Sequence, residues 1–195
     1  MGGEEAGLIL ASTSPQRRAI LEQLRIPFTV VPPAYEEHDP PDADPVALVR
    51  EHAEGKARSV HREGAWTLGV DTTVHLGGRV YGKAEDAAAA GRMLRELSGR
   101  VHTVLSGLCL LGPGVSRLED ARTTVAFRML DDADVATYLE SGEWQGRAGA
   151  YAIQGLGGRL VDAIEGDYLN VVGLPGALLV TLLEEHAPEL LQIPR

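Results

Sequence analysis

Short apolar runs alternate with amphipathic stretches along most of this chain. Uninterrupted apolar runs are typical of buried strands, and apolar positions three or four residues apart predict helices packed on a sheet. The pattern predicts strands at 7–11, 28–31, 66–70, 74–76, 79–81, 101–111, 121–129 and 159–164. It predicts helices at 15–24, 45–61, 84–97, 133–140 and 175–185. This order indicates an α/β fold, with a mixed, partly antiparallel twisted sheet, helices on both faces and a cleft.

Local signals place several boundaries of these elements. Ser14 followed by Pro15 predicts an N-cap and a first helical residue. The pair Gly77-Gly78 between two short apolar runs predicts a two-residue hairpin turn. Residues 32–45 combine prolines with acidic residues, which indicates a loop. Residues 188–195 are interpreted as a loose tail.

Length and composition indicate an ordinary globular protein. The chain has 195 residues, 44% hydrophobic and 24% charged, which suits one domain over 1–195 that can form two lobes. The one cysteine, Cys109, lies in an apolar run and is expected to be a buried core thiol. The acidic start is unlike a signal peptide, and no apolar run is long enough for a membrane span. A cytoplasmic protein is expected.

The formal net charge of -10 argues against a nucleic-acid polymer as the partner, because an acidic surface repels phosphate chains. A small anionic ligand remains compatible with this charge where lysines and arginines converge locally.

One such convergence is the segment 12–18, which joins the first predicted strand to the first predicted helix. Its backbone N–H groups lie at the positive end of a helix dipole. The hydroxyls of Ser12 and Ser14 stand beside Arg17 and Arg18, which predicts a phosphate site. Plain helix capping with solvated arginines is the alternative, and this stretch alone leaves both open.

Carboxylates provide a second candidate site. Asp71 follows an apolar strand, at the strand end where open α/β sheets place ligands. It is suited to bind a divalent cation or to take a proton from water, or simply to cap a turn. The adjacent Glu36 and Glu37 offer oxygen ligands of the kind that Mg²⁺ or Mn²⁺ takes, with a solvated acidic loop as the alternative. The scattered histidines form no zinc pattern.

Two lysines and a glycine-rich segment complete the candidates. Lys56 and Lys83 are interpreted as surface lysines by default. The segment 150–158 packs glycines around Gln154, whose amide is able to hydrogen-bond a base edge. Its glycine spacing fits neither the dinucleotide fingerprint nor a P-loop.

Taken together, these segments resemble the Maf family of nucleoside triphosphate pyrophosphatases. The resemblance runs from Leu8 to about Leu183. It rests on the following stretches: LILASTSPQRRAILEQL, the loop Tyr35-Glu36-Glu37, GVDTTVHLGGRVYGK, LSGRVHTVLSG, TTVAFRML and AGAYAIQGLGGRLVDAIEGDYLNVVGLP. It implies a two-lobed α/β fold around a deep cleft, homodimers, and dependence on Mg²⁺ or Mn²⁺.

The resemblance also implies roles for individual residues. Asp71 corresponds to the family's catalytic acid/base, and Glu37 to a residue associated with the metal. Phosphate-binding and charge-stabilising positions correspond to Ser14, Arg17, Lys56 and Lys83. We therefore predict a catalytic set of Asp71, Lys83 and Glu37, with Glu37 and Asp71 as metal ligands. The predicted substrate-binding set is Ser12, Ser14, Gln16, Arg17, Lys56, Thr72 and Gln154.

Three positions bear on the choice of substrate. Thr72 and Gln154 are similar to the subgroup that acts on dTTP and UTP, whereas the branch acting on methylated GTP usually carries Gln and Glu there. Gln16 departs from the Arg of the pyrimidine subgroup at a position linked to base choice, so the preferred base stays open. Ala84 replaces the proline that typically follows the lysine in this family.

The expected activity is cleavage between the α- and β-phosphates of a nucleoside triphosphate. The alternative is a nucleotide-binding regulator of cell division and septum formation with little catalysis.

Overall fold

A computed structural model describes residues 7–38, 40 and 43–192 of the chain. Residues 39, 41 and 42 of the predicted acidic loop and residues 193–195 of the predicted tail lie outside the described residues. The strands are β1 (Leu8–Leu10), β2 (Phe28–Val30), β3 (Trp66–Leu76), β4 (Arg79–Tyr81), β5 (Val101–Gly112), β6 (Val115–Phe127) and β7 (Val161–Glu165). The α-helices are α1 (Pro15–Gln23), α2 (Pro45–Val60), α3 (Ala87–Leu97), α4 (Asp132–Glu140), α5 (Tyr168–Val172) and α6 (Gly176–His186). Short 3₁₀-helices cover Leu156–Leu160 and Pro188–Leu191.

The strands form one mixed sheet in the order β2-β1-β3-β5-β6-β7, and β4 pairs with β3. β1 runs parallel to both β2 and β3, with Ile9 opposite Thr29 and Thr67. β4 is antiparallel to β3, and β7 is antiparallel to β6. The predicted α/β class with a mixed, partly antiparallel sheet is confirmed.

The described chain divides into two compact units. The first runs to Asp71 and also contains Ser106–Ala121 and the residues from Gly173 onward. The second contains Thr72–Leu105 and Arg122–Val172. The prediction of a single domain with two lobes stays a prediction.

Each unit has its own apolar core. In the first unit, Cys109 packs with Ala53, Ala57 and Leu111 and is 1% exposed, so the prediction of a buried thiol is confirmed. Burial raises the pKa of Cys109 to about 12, which leaves it protonated and unreactive at neutral pH. The core of the second unit contains several aromatic members, among them Phe127, Tyr138, Trp144 and Tyr151.

Polar caps begin α1 and α2 where the sequence predicts. Ser14 accepts the backbone N–H of Arg17 at 3.5 Å at the start of α1, and Asp44 accepts that of Ala47 at 2.9 Å at the start of α2. Proline occupies the first position of both helices, where its missing N–H costs nothing. α4 opens with a capping box between Asp131 and Asp134.

Glycines in two strands set the position of α2. A Cβ atom at Gly69 of β3 would clash with the backbone of Ala53 and Ala57, and one at Gly107 of β5 would clash with the backbone of Val49. Only glycine therefore allows the helix to approach these strands so closely. This contact places one face of α2 directly against β3.

Several predicted boundaries are wrong. β3 continues through Asp71 to Leu76, so that Asp71 lies inside a strand rather than at its end. The Thr72-Thr73 pair explains this continuity, because β-branched residues favour extended backbone. β6 begins at Val115 rather than at residue 121, since Gly114 with φ 71° closes a tight turn. α3 begins at Ala87 because Asp86 caps it.

The end of the chain also differs from prediction. α5 was not predicted, and residues 159–160 belong to a 3₁₀-helix rather than to β7. The described part of the predicted loose tail forms the second 3₁₀-helix, in which Leu190 is 2% exposed. Trp66 explains this anchoring, because its indole N–H donates to Glu189 at 3.0 Å. No helix among the described residues has both the length and the apolar character that crossing a bilayer requires.

Candidate active site

Lys56 joins two of the predicted site carboxylates. Its Nζ lies 2.6 Å from Oδ1 of Asp71 and 2.5 Å from Oε1 of Glu37. Lys56 is only 7% exposed, so the interpretation of this residue as a surface lysine is wrong. The physical reason is the close packing of α2 on β3, which covers the lysine stem while two carboxylates offset the charge.

The loop that carries Glu37 is held against α2 by an aromatic side chain. The ring of Tyr35 meets the ring of His52 edge-on, with centroids 5.8 Å apart. It also rests on Gly55, where a Cβ atom would overlap the Tyr35 ring. These contacts fix the loop backbone two residues before Glu37, whose own side chain is 40% exposed.

His52 approaches Asp71 from the same helix as Lys56. Its Nδ1 lies 3.7 Å from Oδ2 of Asp71, and its Nε2 lies 3.4 Å from the carbonyl oxygen of His38. The ring is 2% exposed. The carboxylate of Asp71 raises the pKa of His52, because it stabilises the charged imidazole more than burial opposes it.

Asp71 is therefore ionised at ordinary pH. Burial alone would raise the pKa of Asp71, but the His52 ring and the positive charges of Lys56 and Arg17 lower it well below its usual range. A carboxylate held so firmly in its charged form binds protons weakly. It is better suited to hold a cation or to orient water than to keep a proton.

Arg17 supplies a second cation to this group. Its Nε donates to the carbonyl of Gly173 at 2.9 Å, and its Nη1 donates to the hydroxyl of Ser12 at 3.2 Å. Burial lowers the pKa of Arg17, and the negative charges of Asp71 and Glu37 oppose that shift. Since the ordinary pKa of arginine is above 12, the guanidinium stays charged.

The hydroxyls of segment 12–18 are organised around α1. The buried Ser12 hydroxyl also accepts the backbone N–H of Ser14 at 3.1 Å, and Ser14 donates its hydroxyl to Oε1 of Gln16 at 3.2 Å. The structure brings Ser12, Ser14 and Arg17 together as predicted. Arg18 does not join them, because it forms an exposed pair with Glu22 at 2.9 Å, one helical turn away.

Three predicted site residues belong to the second unit. Thr72 follows Asp71 in β3 and is half-buried, whereas Lys83 and Gln154 are exposed. The backbone of Lys83 is fixed by an antiparallel bridge to Ala148. Gln154 lies just before the first 3₁₀-helix, in the glycine-rich segment.

The donor set in the first unit fits a divalent cation. Glu37, His52 and Asp71 each offer one ligand atom, and these atoms all lie within 4.8 Å of one another. Carboxylate oxygens with one imidazole nitrogen are ligands that suit Mn²⁺ and neighbouring metals. The predicted pair Glu37 and Asp71 is thus brought together, with His52 beside it.

His52 is the site residue that the sequence interpretation missed. The signal was its spacing: His52 and Lys56 are four residues apart on α2, so they share a helix face with the buried Leu48 and Ala53. A histidine and a lysine on an otherwise apolar face indicate a polar partner opposite them. That partner is Asp71.

Several curated proteins are similar to this chain over most of its length. A dTTP/UTP pyrophosphatase from Gloeobacter violaceus is 46% identical over 180 residues, which cover 91% of this chain and 95% of that protein. One from Myxococcus xanthus is 45% identical over 186 residues, covering 94% of each. One from Thermococcus gammatolerans is 45% identical over 178 residues, covering 91% of this chain and 95% of that protein.

The fold has a more distant parallel among solved structures. A HAM1 protein from Coxiella burnetii superposes with a TM-score of 0.51 at 17% identity, over 92% of this chain and 98% of that one. At this identity the likeness shows the fold alone.

The model of the Maf-like protein family matches residues 7–186. With that match over nearly the full length, the chain belongs to the Maf-like protein family.

Proposed function

We propose that this protein is a nucleoside triphosphate pyrophosphatase acting on dTTP and UTP, with release of a nucleoside monophosphate and pyrophosphate. The observation that carries the proposal is the site in the first unit, where Lys56 bridges Glu37 and Asp71 and the charge of Arg17 acts on both carboxylates. Such a group combines cations for phosphate oxygens with carboxylates for a metal ion. The names of the three relatives supply the substrate class.

In the proposed reaction, a water oxygen attacks the α-phosphorus and the bond to the bridging α–β oxygen breaks. The electron pair leaves with pyrophosphate. The proton of the attacking water passes to Asp71 and then to solvent, or directly to solvent while Asp71 orients the water. The low pKa of Asp71 favours the second route while Lys56 contacts it.

Charge on the phosphates is offset by this chain's own cations. Arg17 and Lys56 bind phosphate oxygens of the substrate, and the hydroxyls of Ser12 and Ser14 orient them. Glu37 and Asp71 would hold a divalent cation, which when bound supplies positive charge to the triphosphate. When substrate enters, Lys56 is free to exchange one carboxylate for a phosphate oxygen.

The resemblance to the family supports roles for the remaining predicted residues. We assign Lys83 to the phosphates, and Gln16, Thr72 and Gln154 to the selection of the base. The exposed amide of Gln154 has donors and an acceptor to offer a pyrimidine edge. We also propose that the chain forms a homodimer and works in the cytoplasm.

Product identification tests the proposal. The purified protein is incubated with dTTP, UTP, CTP, dATP and GTP in Mn²⁺ or Mg²⁺, and products are separated by ion-exchange chromatography. The expected result is equimolar monophosphate and pyrophosphate, fastest with dTTP or UTP. Orthophosphate as the first product would show a phosphomonoesterase instead. Tight nucleotide binding without turnover would favour the regulator of cell division.

A further inference from the structure

His52 holds a position that the proposed phosphate chemistry does not require. Lys56 and Arg17 already provide positive charge beside Asp71, and the ring of His52 is 2% exposed. A polar ring buried this deeply needs a specific partner for each nitrogen. The two ring nitrogens therefore indicate what His52 does.

The two nitrogens face different groups. Nε2 lies 3.4 Å from the His38 carbonyl oxygen, which only accepts, so Nε2 carries a proton. Nδ1 faces Oδ2 of Asp71 at 3.7 Å, so a cation between these two atoms would take the place of the proton on Nδ1. Metal-binding histidines commonly donate their second ring N–H to a backbone carbonyl, which fixes the tautomer and the ring orientation.

The carboxylate oxygens of Asp71 are divided between two partners. Oδ1 contacts Lys56, whereas Oδ2 faces His52. The space next to Oδ2 thus has a carboxylate oxygen on one side and an imidazole nitrogen on the other. Glu37 contributes a further oxygen, and the three ligand atoms lie within 4.8 Å of one another.

These separations match a cation site. With metal–ligand bonds of about 2.1 Å, adjacent ligands of an octahedral ion are about 3.0 Å apart and opposite ligands about 4.2 Å apart. The 3.7 Å between Nδ1 and Oδ2 falls between these values. Small side-chain rotations therefore bring both atoms to bonding distance.

We propose that His52 is a direct ligand of the divalent cation through Nδ1, beside Asp71 and Glu37. The inference rests on the proposed function and specifies its metal site. An imidazole among the ligands favours transition-metal ions over Mg²⁺, whose sites consist of oxygen atoms. The site thus binds Mn²⁺ and Co²⁺ in preference to Mg²⁺.

A spectroscopic experiment detects the bond directly. The protein is prepared with ¹⁵N-labelled histidine and loaded with Mn²⁺ and α,β-methylene dTTP, whose carbon bridge blocks cleavage and adds no nitrogen. Pulsed EPR is expected to show a ¹⁵N coupling to Mn²⁺, which the label assigns to histidine rather than to lysine or thymine. The coupling should vanish in His52→Gln and persist in His61→Gln, a control at the exposed end of α2.

Metal affinity gives a second measurement. Titration calorimetry with MnCl₂ and MgCl₂, with the same analogue present, should show at least a tenfold loss of Mn²⁺ affinity in His52→Gln. Mg²⁺ affinity should change less than threefold, so the Mn²⁺ preference falls. The His61→Gln control should match the wild-type protein. A folded His52→Gln protein with unchanged Mn²⁺ affinity, or a wild-type spectrum without histidine coupling, overturns the inference.

The two proposals fail in different ways. Pyrophosphate release without a histidine coupling would leave the activity standing and remove His52 from the metal site. A histidine coupling without pyrophosphate release would leave the metal ligand standing and remove the proposed activity.

Discussion

The ammonium of Lys56 lies 2.6 Å from Oδ1 of Asp71, although the two residues come from different elements of the sheet-and-helix layer. The contact depends on Gly69, two residues before Asp71 in β3, where a side chain would clash with the backbone of α2. A packing requirement of the fold thus places an ion pair at the candidate site. The same pair explains the low pKa of Asp71, together with His52 and Arg17.

Lys56→Met is expected to destabilise the protein when no metal is present. Glu37 and Asp71 then repel each other without the intervening cation, at a site where Asp71 is 14% exposed. We expect a loss of about 2 kcal/mol in the free energy of unfolding, below the range for fully buried pairs because Glu37 is 40% exposed. Urea unfolding in EDTA measures it, and added Mn²⁺ should recover part of the loss.

Arg58→Met is the matched control for this variant. Arg58 lies on the same helix and pairs with Glu54 at 2.6 Å, but its side chain is 60% exposed. Its removal should cost no more than about 0.5 kcal/mol. Equal losses of unfolding free energy in the two variants would contradict a stabilising role for the contacts of Lys56 with Glu37 and Asp71.

Asp71→Asn should abolish most turnover while the fold is retained. The amide has the same shape but lacks the charge that holds a cation and orients water. We expect kcat to fall on the order of 10²-fold or more, as is typical when acid/base or ligand carboxylates are lost. Pyrophosphate release measures kcat, and circular dichroism checks the fold.

Asp120→Asn provides the comparison within the same unit. Asp120 forms an ion pair with Arg50 at 3.1 Å and its side chain is 22% exposed, but it is not one of the candidate site residues. Its replacement should leave kcat within about twofold of wild type, since surface pairs contribute little. Retention of most activity in Asp71→Asn would remove Asp71 from the mechanism.

Local chemistry made much of the fold predictable from the sequence. Ser14 and Asp44 cap helices that start with proline, and the apolar runs at Leu8 and Trp66 form strands. Each of these signals involves residues only a few positions apart, so the local sequence is sufficient to predict these helices and strands. The full extent of β3 was not predicted, although Thr72 and Thr73 favour extended backbone, because the pairing of Val74–Leu76 with β4 lies beyond them.

The candidate site was predictable only in part, because it depends on contacts between elements that are far apart in the sequence. The resemblance to a family indicated Glu37, Lys56 and Asp71, and the structure brings these three together. The part played by His52 depends on which face of α2 meets β3, and the glycine contacts at Gly69 decide that. The spacing of His52 and Lys56 indicates a shared helix face, but it does not identify Asp71 as the partner of that face.

Gly55→Ala should reduce activity without unfolding the protein. Alanine normally stabilises a helix interior by about 1 kcal/mol relative to glycine, but a Cβ atom here overlaps the Tyr35 ring. The ring must move, and with it the loop that positions Glu37. We expect kcat/KM to fall on the order of tenfold or more, as for other displaced catalytic groups, with no comparable loss of stability.

The double variant Tyr35→Ala/Gly55→Ala tests the cause. Once the ring is absent, the methyl group at position 55 has nothing to displace, so the double variant should be no less active than Tyr35→Ala alone. Additive losses would show that the two residues act independently. Both comparisons use kcat/KM for the preferred nucleotide.

His102 should make the stability of the protein depend on pH. The ring is 2% exposed, lies 2.9 Å from the Tyr151 hydroxyl through Nε2, and has no hydrogen-bond partner for Nδ1 among the described residues. Burial lowers the pKa of His102 to about 4. In the unfolded chain the pKa is about 6.5, so between these values the unfolded state binds more protons. The contribution is fully present above pH 6.5 and is lost as pH falls toward 4.

Replacement by glutamine should therefore flatten the acid side of the stability profile, because the amide does not titrate but is able to bond Tyr151. From pH 6.5 to 4.5, wild type should lose about 2 kcal/mol more than His102→Gln in the free energy of unfolding. Urea unfolding across this range measures the difference, with His61→Gln as a control at an exposed histidine. Parallel profiles for wild type and His102→Gln would mean that the buried ring is already protonated in the folded protein, or that it is not buried at all.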